Sequence, residues 1–176
     1  MRAVLVGLTL LVASTFSPDA FAQQQPGSAP SSAAKGTTMV SASDVAALIA
    51  KAKVDRKDTQ ALLAQSMIRL EPYNVSLEYR AAVANAAVHE TEAELFYVVD
   101  GSAMLVTGGK LKNETRTNAA NLSGSGIEGG VSRHVAKGDF IMVPEGTPHW
   151  FSAIDGTVVL MSLHLPRAPK TASAAH

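Results

Sequence analysis

No cysteine occurs in this chain of 176 residues, which excludes disulfides as a source of stability and thiolates as nucleophiles or metal ligands. Whatever fold it adopts must hold together by packing alone. Nor is there an excess of charge of either sign, because 15 Lys and Arg balance 15 Asp and Glu. The balance survives removal of Arg2 and Asp19 with the N-terminal segment, so the basic footprint that neutralises nucleic-acid phosphates is missing. No nucleic-acid partner is expected. An apolar run able to cross a bilayer takes about 20 residues, and the one candidate, from Ala3 to Thr15, soon breaks at Ser17, Pro18 and Asp19.

That first segment carries instead a short positive start (Met1-Arg2), an apolar stretch, and the small-x-small pattern Ala20-Phe21-Ala22. These are the three parts of a secretory signal peptide. Residues 1–22 are therefore expected to be a leader cleaved near Ala22, leaving a periplasmic or secreted protein with no membrane span. Residues 23–42 begin QQQPGSAPSSAAKGTT, which has no apolar periodicity and reads as a flexible linker. Residues 43–166 are the right size for one domain with one core, and 167–176 read as a disordered tail.

Within the domain, Ser43 is a suitable N-cap for a short helix over 44–54, where Val45, Leu48, Ile49 and Ala52 form one apolar stripe. From Leu62 the period shortens. Met67, Ile68 and Leu70 lead to Pro72-Tyr73-Asn74, and Val75, Leu77 and Tyr79 then alternate with Ser76, Glu78 and Arg80. Further short runs follow at 86–90, 94–99, 103–107, 131–136, 140–143, 149–153 and 158–165, the pattern of an all-β sandwich or barrel. Asp100-Gly101 and Asp155-Gly156 each lie between apolar runs and predict hairpin turns. The segment 108–130 is long and polar, so it is expected to be functional or mobile, folding over the barrel mouth. Its Gly124-x-Gly126-x-x-Gly129 matches a dinucleotide fingerprint in spacing only, since no helix pattern follows.

The most specific segment runs from Gly138 through Pro144, Gly146 and His149, a G-x5-P-x-G-x2-H spacing that average residue usage produces in about one chain per thousand. Pro144 and Gly146 force a corner, and His149 begins the returning strand. Upstream stands His89-x4-Glu94-x6-Gly101.

Together these two segments resemble the paired motifs of the cupin superfamily, G-x5-H-x-H-x3,4-E-x6-G and G-x5-P-x-G-x2-H-x3-N, over about Ala81 to Ala153. The resemblance implies a single-domain double-stranded β-helix, or jelly-roll barrel, carrying a short N-terminal helix. It implies a divalent metal inside the barrel held by histidines and a carboxylate, and a homodimer. The chain departs from the pattern in Ala81 for the first glycine, Ala87 for the first histidine and Ala153 for the final asparagine. Carried over residue by residue, the ligands are His89, Glu94 and His149. Two imidazoles and a carboxylate suffice for iron and suit manganese, zinc or nickel equally. Glu90, Thr91 and Glu92 are close in sequence but poorly phased to replace the lost ligand.

Arg69, Tyr79 and Arg80 on the early strands, together with Phe151 and His164, are candidate substrate contacts, an arginine being suited to clamping a carboxylate or phosphate. His134 is expected at the surface. Three functions are open on the sequence. The first is a metal-dependent enzyme of oxidoreductase, isomerase or lyase type acting on a small organic molecule. The second is a metal-free module that binds a small molecule or sugar, with no cofactor. The third is a structural role for a tethered barrel.

Overall fold

The computed structural model describes residues 38–167. The expected leader, the linker as far as residue 37 and the tail from residue 168 lie outside that range.

One helix, α1 (Ala42–Asp55), precedes the strands. Its cap is Ser41 and not Ser43. The Ser41 hydroxyl accepts from the Asp44 amide at 3.2 Å while the Asp44 carboxylate accepts the Ser41 amide at 3.0 Å. This reciprocal pair needs an acid three residues after the cap, which Ser41 has in Asp44. Ser43 only touches the Ser41 hydroxyl.

Eleven strands follow: β1 (Leu62–Leu70), β2 (Tyr73–Arg80), β3 (Ala86–His89), β4 (Glu92–Thr107), β5 (Lys110–Lys112), β6 (Thr115–Arg116), β7 (Asn121–Gly124), β8 (Gly126–Glu128), β9 (Val131–Ala136), β10 (Phe140–Val143) and β11 (His149–Pro166). All their pairings are antiparallel, and the fold is an all-β jelly roll. Two strands are far longer than the sequence predicts. β4 runs straight through Asp100-Gly101 and β11 through Asp155-Gly156, and the two pair along their whole lengths.

The expected hairpins at those two dipeptides are therefore corrected to irregularities inside one long ladder. Turn residues make a hairpin only when the flanking runs pair with each other. Here both halves of β4 find their partner in β11, and the register slips between Ile154 and Val158. Gly101 has φ +78°, and a Cβ there would lie 2.0 Å from the Thr157 carbonyl oxygen, so only glycine fits the crossing. At the bulge, the Ser102 hydroxyl donates to Asp155 at 2.6 Å. Either side of these points the neighbours change: β4 pairs first with β10 and then with β9, and β11 first with β3 and then with β2. Each long strand thus serves both layers.

Strand alternation sorts the core into two faces. Leu77 and Tyr79 of β2 join Met67, Val159, and Leu48 and Ala52 of α1 in a cluster between sheet and helix. Phe96, Val98, Leu105, Val135, Val143, Phe151 and Leu160 fill the barrel interior. The segment 108–130 is not a structureless excursion. It forms two small ladders, β5 with β8 and β6 with β7, and β7 extends the sheet by pairing with β3. Strands occupy its Gly124-x-Gly126 run, as the absence of a helix pattern implies.

Candidate metal centre

Glu94 enters the barrel from the start of β4 and is 3 % exposed. Directly opposite it in the ladder stands His164, near the end of β11. His149 opens β11 after the Pro144 to Pro148 corner, and the corner is tied to β3 because the Gly146 amide donates to the His89 carbonyl at 2.7 Å. That bond sets the two motif histidines side by side, with ring centroids 5.3 Å apart.

All three imidazoles turn Nε2 toward one carboxylate. His89 Nε2 is 3.2 Å and His149 Nε2 3.1 Å from Glu94 Oε2, and His164 Nε2 is 3.4 Å from Oε1. Donor atoms of His89, Glu94 and His164 lie within 4.8 Å of one another, a group that can hold a metal ion. His149 falls outside that mutual distance, yet it is as near to Glu94 as His89 is, so we count it in the same cluster. Behind each ring, Nδ1 is engaged: His89 with Asn121 Oδ1 at 2.8 Å, His149 with the Thr147 carbonyl at 3.2 Å, and His164 with Glu92 Oε1 at 2.8 Å.

This wiring has a chemical consequence. A carbonyl or an ionised carboxylate can only accept, so the Nδ1 atoms facing them carry the protons, and a neutral ring then offers a lone pair at Nε2. Those lone pairs converge on a carboxylate that offers more of the same. A proton on a ring or on the carboxyl, a donating water, or a metal ion at the shared point reconciles them. Burial pushes the Glu94 carboxyl up, but His149, His89 and the Ser162 hydroxyl hold it well below the usual carboxylate range. Burial likewise pushes His89 down, and its bonds to Glu94 and Asn121 with the charges of Glu94 and Glu92 more than reverse this. Three nitrogens and a carboxylate, with their outer atoms held by second partners, are a donor set able to hold a first-row divalent ion.

The structure places the remaining sequence candidates as follows. Phe151 shares the interior face with His149, both packing on Phe96. Arg80 points inward, but its guanidinium is taken by Glu78 at 2.7 Å and lies 4.6 Å over the Phe151 ring. Tyr79 sits on the opposite face, in the helix-side cluster. Arg69 is exposed and donates to Ser66. His134 is at the surface beside Asp155. Glu90 pairs with Arg116, outside the cluster. Sequence reasoning placed His164 among the substrate contacts and missed its place beside Glu94 in a group that can hold a metal ion, and it missed Glu92 and Asn121 as partners of the rings. No local motif marks His164; only its register opposite Glu94 does.

A family model described as Cupin matches residues 52–174. No curated protein matches the chain. Among solved structures, a protein from Bacillus halodurans is 13% identical with a TM-score of 0.50, the match covering 78% of this chain and 88% of that one. KdgF from Halomonas sp. is 17% identical with a TM-score of 0.46, covering 65% and 87%. The iron(II) HppE in complex with substrate is 14% identical with a TM-score of 0.47, covering 62% and 53%, so the match spans about half of that chain. Likenesses at this level of identity show the fold and nothing finer.

Proposed function

The chain belongs to the cupin family, and from that footing we propose that it is an exported barrel that holds one divalent metal ion at Glu94, His89, His149 and His164 and acts on a small organic molecule there. The observation that carries this reading is the convergence of three Nε2 atoms on the Glu94 carboxylate, with Nδ1 of each ring already committed elsewhere. Such outer bonds fix ring orientation and raise ligand basicity in metal sites. Buried histidines that merely fill space have no need to present their free nitrogens to a single point.

A bound ion would supply Lewis acidity toward an oxygen donor of the substrate. The chain's own residues supply the setting. Glu92, Asn121 and the Thr147 carbonyl hold the three rings. Phe96 and Phe151 wall the site with apolar surface, which excludes water and strengthens every charge interaction inside it. Ser162 steadies the Glu94 oxygen that faces His164.

Export is supported by the leader pattern of residues 1–22, and a homodimer by the exposed Phe140 and Met142 on the edge strand β10, since such edges are commonly covered by pairing. Elemental analysis of untagged protein tests the central claim. About one equivalent of a single divalent metal is expected in the wild type, and little in His149→Ala or His164→Ala. Metal content that is negligible in the wild type, or equal in all three, overturns the reading in favour of a metal-free binding barrel.

A further inference from the structure

A cavity of about 390 Å³, within the size range of small-molecule sites, lies among β4, β9, β10 and the corner at Pro144, with none of the four centre residues in its wall. Leu105, Val135, Ile141 and Val143 line it with apolar surface. Strand register fixes its position. Val143 is paired with Glu94 across β10 and β4, and Thr107, also in the wall, is paired with His149 across β4 and β11. Paired residues point to the same face, so this part of the wall faces the side where the centre lies, while Phe140 and Met142, also in the wall, are exposed on the other face of β10.

One cation stands in this lining, Arg133 on β9, opposite Leu105 in the ladder. Its guanidinium makes a single long contact, Nη1 to the Thr107 hydroxyl at 3.4 Å. Among the described residues no carboxylate lies within ion-pair distance of it, whereas Arg80, Arg116 and Arg167 each have one. Arg133 itself is exposed, while Val135 and Leu105 are buried. The cavity thus combines a buried apolar wall, Leu105, Val135 and Val143, with an exposed and unneutralised cation.

We propose that the ligand of this cavity is a small organic acid whose carboxylate is taken at the rim by Arg133 and the Thr107 hydroxyl, with its apolar body against Leu105, Val135, Ile141 and Val143. A guanidinium offers parallel N–H donors that match a carboxylate, and the bond is charge-assisted. An amide of the same shape keeps the apolar contact and loses the charge. A cationic ligand is repelled. The inference rests on the reading above, because the molecule it describes is the one presented to that centre.

Titration calorimetry of the full chain with benzoate, phenylacetate and isovalerate, each against its amide, tests this in protein as purified and after EDTA treatment. At least one acid is expected to bind about tenfold or more tightly than its amide. Arg133→Gln should abolish that preference and Arg133→Lys should keep part of it. Because Arg133 is exposed, both variants should unfold at the wild-type temperature. Failure of all three acids to bind, equal binding of acids and amides, or an unchanged preference in Arg133→Gln overturns the proposal. Metal content of the same samples reports on the centre separately. An Arg133-dependent preference in protein that never holds metal sinks the metal reading and leaves the acid site standing.

Discussion

Glu94 and His164 face each other across the β4–β11 ladder, 3.4 Å from carboxylate oxygen to Nε2. The first motif's missing histidine falls at Ala87, and Ala87 is paired with His149 across β3 and β11, so its side also faces the interior. The motif's imidazole is absent from that wall, and the end of the last strand brings another to the same carboxylate.

The substitution is therefore expected to be reversible. His164→Ala should weaken metal binding by more than the roughly 10- to 100-fold that outer partners control, and adding Ala87→His to that variant should restore much of the loss. Competition with a chromophoric chelator reads both affinities. A double variant no better than His164→Ala would show that position 87 cannot reach the shared point.

Glu92 has no place among the inner atoms, yet it accepts from His164 Nδ1 at 2.8 Å. Glu92→Ala should cost about 10- to 100-fold in metal affinity while leaving the unfolding midpoint of the metal-free protein near the wild-type value. Unchanged affinity would mean that the ladder alone orients His164.

Two glycines with the same backbone sign separate conformational cost from collision. Gly156, at φ +75°, has open space where a Cβ would go, and Gly101, at φ +78°, has the Thr157 carbonyl there. Gly156→Ala is expected to cost about 1–2 kcal/mol. Gly101→Ala must also shift β11 and is expected to cost about 3 kcal/mol or more. Urea unfolding of the two variants decides; equal losses would remove the crossing constraint.

The same dipeptides show how far the sequence could be read. Asp-Gly predicts a reversal when only local chemistry is considered, and at 100–101 and 155–156 the left-handed glycine follows from that chemistry while the reversal does not. Whether a left-handed glycine turns the chain or kinks it depends on which strand pairs alongside, and β11 is remote in sequence from β4. His149 was legible because its corner is written in neighbouring residues, Pro144 and Gly146. His164 is legible only as a pocket residue, since its place beside Glu94 follows from the register of β4 with β11. The pairing of Arg80 with Glu78, two residues away on the same face, is not written in the local pattern either, because alternation alone does not say which face turns inward.

Ser41 and Ser43 offer a small, clean contrast. Ser41→Ala should destabilise by about 1 kcal/mol and Ser43→Ala by little. Asp44 is held below its ordinary 3.8 by the Ser41 hydroxyl first and then by the Ser41 amide. A carboxyl lowered on folding stabilises above its unfolded value and loses that contribution as pH falls through the folded one. The difference between wild type and Ser41→Ala should hold at neutral pH and shrink below 3.8. A difference that grows in acid would contradict the capping geometry.

Three of the four inner residues ride on the β4–β11 seam, and the fourth, His89, is carried by the four-residue β3. Amide exchange should begin at the outlying strands β1, β6, β9 and β10, each bonded along one flank only, and reach the seam last. Release of β3 alone would swing one arm away from a tripod that stays standing. Cargo could then be traded at that arm without dismantling the barrel.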